Sequence, residues 1–300
     1  WLFRVLQGLS AGTGLVVGRA IIRDRFQGAE AQRMMSQMTL VFGVGPALAA
    51  RAALGDTVVY VTNNAMHYHG DYLPRLAGHG APVGPDRVVT SARASALYLR
   101  EAMPGVRRVL AVGAAGLERE LREAGFDVVT AAYAATRMGQ EGIDGWAAAE
   151  HPDVVVVGLD PQLTYLRIAA AADCIRAGAV LVATNRDPLY PTERGFRPGA
   201  GAVVAAIETA ARTTARVTIG KPGPYLLLAA AKSVDADVRQ AVMIGDALTD
   251  VAAGRAVLPR SAHRRLARAP RAAPCHGTQG RRPVRAAGDA HRVTGVATSP

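Results

Sequence analysis

VVYVTNN, residues 58–64, places four apolar residues directly before a hydroxyl and two carboxamides. A mostly β-branched run of this kind suits a strand buried on both faces, as in parallel sheets. Such a strand ends by delivering Thr62, Asn63 and Asn64 to the carboxyl edge of the sheet, where open α/β sheets bind ligands. The Thr62 hydroxyl and the backbone N–H groups after it can donate to phosphate oxygens. The competing reading is a strand that stops in an Asn-rich turn. Further runs of the same character follow at 109–112 (VLAV), 154–157 (VVVV), 179–183 (AVLVA), 216–219 (RVTI) and 241–244 (AVMI). Between them lie helical stretches. Leu117–Ala124 stops at Gly125 and Leu163–Ala177 stops at Gly178, each a helix-terminating glycine. Ala202–Arg212 is apolar on both sides, and Pro224 opens PYLLLAAAK at a favoured first-turn position. Strand–helix alternation on this scale predicts an α/β fold.

Two other strand ends carry chemistry. RVTI leads into Gly220-Lys221-Pro222, and Lys221 is one of only two lysines in the chain. A fixed ammonium there can neutralise phosphate charge, or charge shared by a carboxylate and a phosphate. The alternative is an exposed loop lysine. AVMI leads into Gly245-Asp246, with Asp250 four residues on. That spacing puts two carboxylates on one side of a first helical turn, a hard-oxygen pair suited to Mg²⁺. An Asp N-cap with a polar first turn would look the same.

In this order the three elements resemble the haloacid-dehalogenase superfamily of phosphohydrolases. Thr62 matches its second motif, Lys221 its third, and Asp246 with Asp250 its fourth. VTNN at 61–64 is similar to the branch holding nitrophenylphosphatases, phosphoglycolate phosphatases and nucleotide monophosphatases, as are VVTSA at 88–92, VVGLDPQLTY at 156–165, ATNRD at 183–187 and PTERGFRPGAG at 191–201. The resemblance covers about 51–256. It implies a Rossmann-like core at 51–87 and 215–256 with a large α/β cap at 88–214. It also implies Mg²⁺ as cofactor, small phosphate monoesters as substrates, and an aspartyl-phosphate formed by an Asp nucleophile whose neighbour two residues on is the acid and base. Thr62, Asn63, Asn64 and Lys221 would hold the phosphate. Asp160 and Asp187 would reach substrate from the cap, or simply cap turns.

The nucleophile is missing from the sequence. Before Thr62 there are only Asp24 and Asp56, and neither has a second Asp two residues later. The one Asp-x-Asp is Asp235-Ala236-Asp237, in a polar loop after Lys221. The expectation is therefore an incomplete core without phosphatase activity. Its alternatives are a noncatalytic phosphate-binding module or a remnant of a membrane efflux transporter.

The transporter reading rests on residues 1–50, which hold the apolar stretches Leu9–Ile22 and Met34–Ala50 around a charged loop. They resemble a fragment of a major facilitator drug-resistance transporter. Such a segment is expected to be helical, and any membrane association would run through it. The chain starts at Trp1 rather than Met, which suggests a fragment or an unusual start. These residues show no signal-peptide pattern, and the expected location is the cytoplasm.

The net charge of +11 divides unevenly. Residues 1–50 carry +3, 257–300 carry +8, and the 206 residues between are neutral. With 33 arginines against two lysines, the bias reflects GC-rich coding more than a phosphate-binding surface, and no nucleic-acid partner is expected. Residues 258–300, rich in Arg and Pro and without a period, read as a basic disordered tail that begins abruptly, as after a shifted reading frame. Two cysteines, Cys174 and Cys275, exclude a disulfide scaffold. His67 and His69, with His79 nearby, form a weak metal signal that lacks a third ligand. The sequence leaves the oligomeric state open.

Overall fold

In the computed structural model, the described residues are 51–257 except 53, 79–80, 82, 142–149, 193–194 and 246, and all lie within the compact unit Trp1–Ala267. The transporter-like segment 1–50, the tail 258–300, His79 and Asp246 lie outside the described residues.

The centre is a five-stranded parallel sheet. Its strands are β3 (Arg108–Val112), β4 (Asp127–Thr130), β5 (Val154–Val157), β6 (Val180–Ala183) and β9 (Val217–Thr218), in the order β4-β3-β5-β6-β9. Helices cover both faces, which is why the strand sequences are apolar throughout. Val154 and Val156 enter one apolar cluster with Leu99, Leu117, Leu121 and Leu226. Val155 and Val157 enter the other, with Met138, Ala170, Cys174, Val204 and Ile207. The period-2 alternation of side chains divides one uninterrupted valine run between two cores. All four valines are fully buried, a gross gain of about 1.5–3 kcal/mol each.

The first face is covered by α2 (Ser91–Ala102), α3 (Ala115–Glu123) and α7 (Tyr225–Lys232), and the second by α4 (Ala131–Glu141), α5 (Tyr165–Arg176) and α6 (Ala200–Ala211). Sequence chemistry sets their ends. The Thr90 side chain accepts from the Arg93 N–H to cap α2, and Thr164 does the same for α5 through Arg167. Gly125 and Gly178 adopt φ +91° and +113° after α3 and α5, a left-handed conformation that stops a helix.

A second, two-stranded parallel sheet joins β1 (Tyr60–Thr62) to β2 (Val88–Thr90). Helix α1 (Leu73–Gly78) follows β1, a hairpin β7 (Leu189–Thr192) and β8 (Gly195–Pro198) projects from the second half, and α8 (Leu248–Val257) closes the described chain.

Strand pairing crosses the bounds expected between core and cap at 88 and 215. Val88–Thr90, placed with the cap, pairs with β1, and Val217–Thr218, placed with the core, extends the large sheet beside β6. The apolar cluster under β1 and β2 is continuous with the one beneath the large sheet, so burial joins what motif order separates. One expectation needs correction: 241–244 is not a strand. Its apolar run has no ladder partner among the described residues, and Val242 and Ile244 are about half exposed.

Candidate phosphate site

The carboxyl ends of three strands meet: β1 at Thr62-Asn63, β6 at Thr184-Asn185, and β9 through Ile219 to Gly220-Lys221. Asn63 is the hub. Its side-chain oxygen accepts the Lys221 N–H at 2.7 Å. Its amide nitrogen donates to the Lys221 carbonyl at 2.9 Å and to the Asp187 carboxylate at 3.1 and 3.2 Å. Its backbone carbonyl accepts from Ser91 Oγ at 2.6 Å and Asn185 Nδ2 at 2.7 Å. Asn63 is buried, and its side-chain donor and acceptor are occupied by protein partners, so it positions the Lys221 loop rather than presenting an amide to a ligand.

That loop can approach only because residue 220 is glycine. A Cβ there would stand 2.6 Å from Asn63 Oδ1 and 2.8 Å from the Thr184 carbonyl oxygen. The peptide bond Lys221-Pro222 is cis. Lys221 Nζ meets Asp250 Oδ1 at 2.5 Å, with side-chain exposures of 13% and 6%. The other Asp250 oxygen accepts the Ala247 N–H at 3.0 Å. Both charges are largely out of water, which makes the pair's integrity a condition of local stability.

Thr62 is half-buried at the strand end, and its Oγ1 accepts the Asn64 N–H at 3.2 Å. That contact uses the oxygen as acceptor, and the hydroxyl hydrogen remains a donor that Tyr72 shares. Asn64 Oδ1 accepts the Met66 N–H at 2.8 Å, an Asx turn that bends the chain away from the sheet. Tyr72 stands beside Thr62. Burial pushes its phenol up to about 12, against the pull of Arg75 and the Thr62 hydroxyl, so it keeps its proton at neutral pH.

Of the residues named from sequence, Thr62, Asn63, Asp187, Lys221 and Asp250 come together here. Asp160 serves elsewhere. It is buried, accepts both Arg167 Nη1 contacts at 2.9 Å, and accepts the Gln162 N–H at 2.9 Å in a turn. His67 and His69 diverge. His67 makes an edge contact with Tyr72, whereas His69 Nδ1 meets Glu120 Oε1 at 2.9 Å in a buried pair. Asp235-x-Asp237 is spent on a 3-10 turn, where Asp237 accepts from both the backbone and the guanidinium of Arg239. Asp56 pairs with Arg51 ahead of β1, at the end of the strand remote from the site.

Asn185 and Ser91 emerge only from the fold. Each lies in a stretch that carries the family resemblance, VVTSA at 88–92 and ATNRD at 183–187, but its role was not read from it, because each acts on the Asn63 carbonyl, 122 and 28 residues away in sequence.

A divalent cation would need more donors than these. No group of three His, Cys, Asp or Glu residues converges among the described residues. Asp250 is a single carboxylate with both oxygens engaged. The described set does not make a metal site by itself.

The fold is that of an α/β protein with a polar cluster at the carboxyl ends of its strands. Comparison with known proteins narrows the class. The haloacid dehalogenase-like hydrolase model matches residues 34–127, and a HAD-hydrolase-like model matches 218–257. The acid sugar phosphatase of Staphylococcus aureus is 34% identical over 197 residues, which is 65% of this chain and 68% of that protein. A p-nitrophenyl phosphatase from Archaeoglobus fulgidus superposes with TM-score 0.58 at 27% identity, covering 69% of this chain and 72% of its own. The glycerol phosphate phosphatase of Mycobacterium tuberculosis, in complex with calcium, gives 0.56 at 37% identity, with 67% and 55% covered. The chain belongs to the haloacid dehalogenase-like hydrolase family.

Proposed function

We propose that this chain is a haloacid-dehalogenase-type protein that binds small phosphate monoesters but does not hydrolyse them. The observation that carries the reading is the placement of Lys221. Asn63, the residue after Thr62, holds its backbone on both sides, N–H and carbonyl, while its ammonium is paired with Asp250. A phosphate entering there would take a hydrogen bond from the Thr62 hydroxyl and charge from the Lys221 ammonium. Mg²⁺, if it participates, would be held by Asp250 together with Asp246. Relatives named for acid sugar, p-nitrophenyl and glycerol phosphates support the substrate class.

Hydrolysis through an aspartyl enzyme requires a carboxylate in line with phosphorus and an acid beside it. The sequence before Thr62 has no Asp-x-Asp, and the Asp-x-Asp at 235–237 is engaged with Arg239. Binding then persists while the covalent step is lost.

Isothermal titration with p-nitrophenyl phosphate tests the binding half. Heat is expected with the intact chain and is expected to disappear in Lys221→Ala. Binding that survives this variant, in a protein shown by circular dichroism to be folded, would place the phosphate elsewhere.

A further inference from the structure

Behind Thr62 stands a second hydroxyl. Tyr72 ends the 3-10 turn His69–Tyr72, which packs against β2, the strand paired with β1. Its Oη is closed off from solvent and makes no well-formed hydrogen bond among the described residues. A buried polar group in that state is costly unless a bound state supplies the missing partner. The Thr62 hydroxyl is close enough to bond it weakly, whereas Arg75, Tyr190 and Asp71 act on it only through space. Burial pushes the phenol up to about 12, so it carries its hydrogen throughout the neutral range.

The turn that carries Tyr72 is held in place from α3. The His69 N–H donates to Glu120 Oε1 at 2.9 Å, and His69 Nδ1 meets the same oxygen at 2.9 Å. The Gly116 N–H donates to the Met66 carbonyl at 3.0 Å, and a Cβ at residue 116 would stand 2.4 Å from that carbonyl oxygen. His67 and Tyr72 meet in a T-shaped contact with ring centroids 6.0 Å apart. These contacts fix the phenol against the end of β1, as a supporting group must be fixed if it is to orient another.

The inventory of hydrogens and lone pairs assigns the roles. Thr62 Oγ1 has one hydrogen and two lone pairs, and one lone pair accepts the Asn64 N–H at 3.2 Å. With the site empty, the Thr62 hydrogen is shared with Tyr72, and the Tyr72 hydrogen lacks a good acceptor. An anion at the strand end draws the Thr62 hydrogen outward. The second Thr62 lone pair is then free to accept from Tyr72. Every hydrogen of the two hydroxyls is matched, and in the resulting chain each bond polarises the next.

We propose that Tyr72 is a positioning residue for anion binding: its phenol donates to Thr62 Oγ1 and so commits the Thr62 hydrogen to a phosphate oxygen. The assignment rests on the phosphate reading of the site. It makes Thr62 an obligate donor, so the site favours a group that only accepts, such as an ionised phosphate oxygen, over one that must donate.

Isothermal titration of the full chain with inorganic phosphate tests this. Tyr72→Phe keeps the ring and removes the oxygen. It is expected to weaken phosphate binding about five-fold, the worth of one hydrogen bond. Its Tm is expected to be unchanged or raised, because the oxygen removed lacks a good partner in the free protein. Thr62→Val is expected to weaken binding by itself, and on that background Tyr72→Phe should have no further effect. On a Thr62→Ser background, which keeps the hydroxyl, the five-fold loss should return. Equal losses from Tyr72→Phe with and without the residue-62 hydroxyl would overturn the proposal, as would unchanged affinity in Tyr72→Phe while Thr62→Val loses it; either result leaves the phosphate site standing. Phosphate binding that survives Thr62→Val, or no binding by the intact chain, would overturn the site itself and the proposal with it.

Discussion

Replacing Asn63 by Asp changes one NH₂ into one oxygen and tests whether this side chain is a structural hub. The side-chain oxygen facing the Lys221 N–H at 2.7 Å is retained. The other atom, now an acceptor, faces the Lys221 carbonyl at 2.9 Å and the Asp187 carboxylate at 3.1–3.2 Å. The loss comprises a hydrogen bond to a charged group, about 1.5–3 kcal/mol, and a neutral one, about 1 kcal/mol. Two carboxylates near 3 Å add repulsion, which raises the folded-state pKa of the new acid above its unfolded value. A destabilisation of about 3–5 kcal/mol is expected at pH 8. The sign of its pH dependence follows from the raised pKa. The folded state takes up the proton first, so the penalty shrinks as pH falls through the folded pKa, and the protonated acid regains a donor. Urea denaturation of both proteins at pH 8 and pH 5 measures this. A loss under about 1 kcal/mol at pH 8, or no recovery at pH 5, would refute the hub assignment.

Three further outcomes are expected. Lys221→Met alone leaves Asp250 buried and uncompensated and should cost about 3–5 kcal/mol, whereas Lys221→Met/Asp250→Leu should recover much of that; a denaturation double-mutant cycle with coupling below about 0.5 kcal/mol would show the pair to be dispensable. Gly116→Ala improves helix propensity in α3 by up to about 1 kcal/mol, but its Cβ would lie 2.4 Å from the Met66 carbonyl oxygen and the His67 carbonyl carbon, so net destabilisation is expected in thermal melts, and a raised Tm would contradict the close approach. Glu208, which bridges Arg186 and the Ala215 N–H, has its carboxyl held below the usual range chiefly by the Arg186 hydrogen bonds. Its contribution is therefore full above the unfolded pKa and is lost as pH falls through the folded one. Glu208→Gln should cost about 1 kcal/mol or less at pH 7, because Arg186 is partly solvated, and should flatten stability between pH 5 and 3.

The strands buried on both faces were legible because their burial is independent of neighbours. VLAV, VVVV and AVLVA each appear at the expected positions within a residue or so. β4, reading DVVT, is a short edge strand whose pattern is too brief to separate from a loop. The hairpin at 189–198 carries Pro191 and Pro198, which argue against strands unless the strands are peripheral. AVMI misled in the opposite sense, since its composition is strand-like and its pairing is a tertiary matter. In the site, Thr62, Asn63 and Lys221 could be read because they end or follow strands, and Asp250 because of its spacing from Asp246. Their assignments could not, because only the fold shows that Asn63 is spent on Lys221 and Asp187, and that Asp160 belongs to Arg167. The roles of Asn185 and Ser91, although both lie in the quoted stretches ATNRD and VVTSA, and the His69–Glu120 pair depend on contacts between distant segments, which composition and spacing do not reveal.

The most direct test of the account is steady-state hydrolysis of p-nitrophenyl phosphate by the purified chain with millimolar Mg²⁺, beside a titration of the same ester. The account predicts heat of binding without p-nitrophenol release above the buffer rate. Mg²⁺-dependent turnover that is abolished by Asp250→Asn would contradict it, because a nucleophile would then have to exist where the sequence places none.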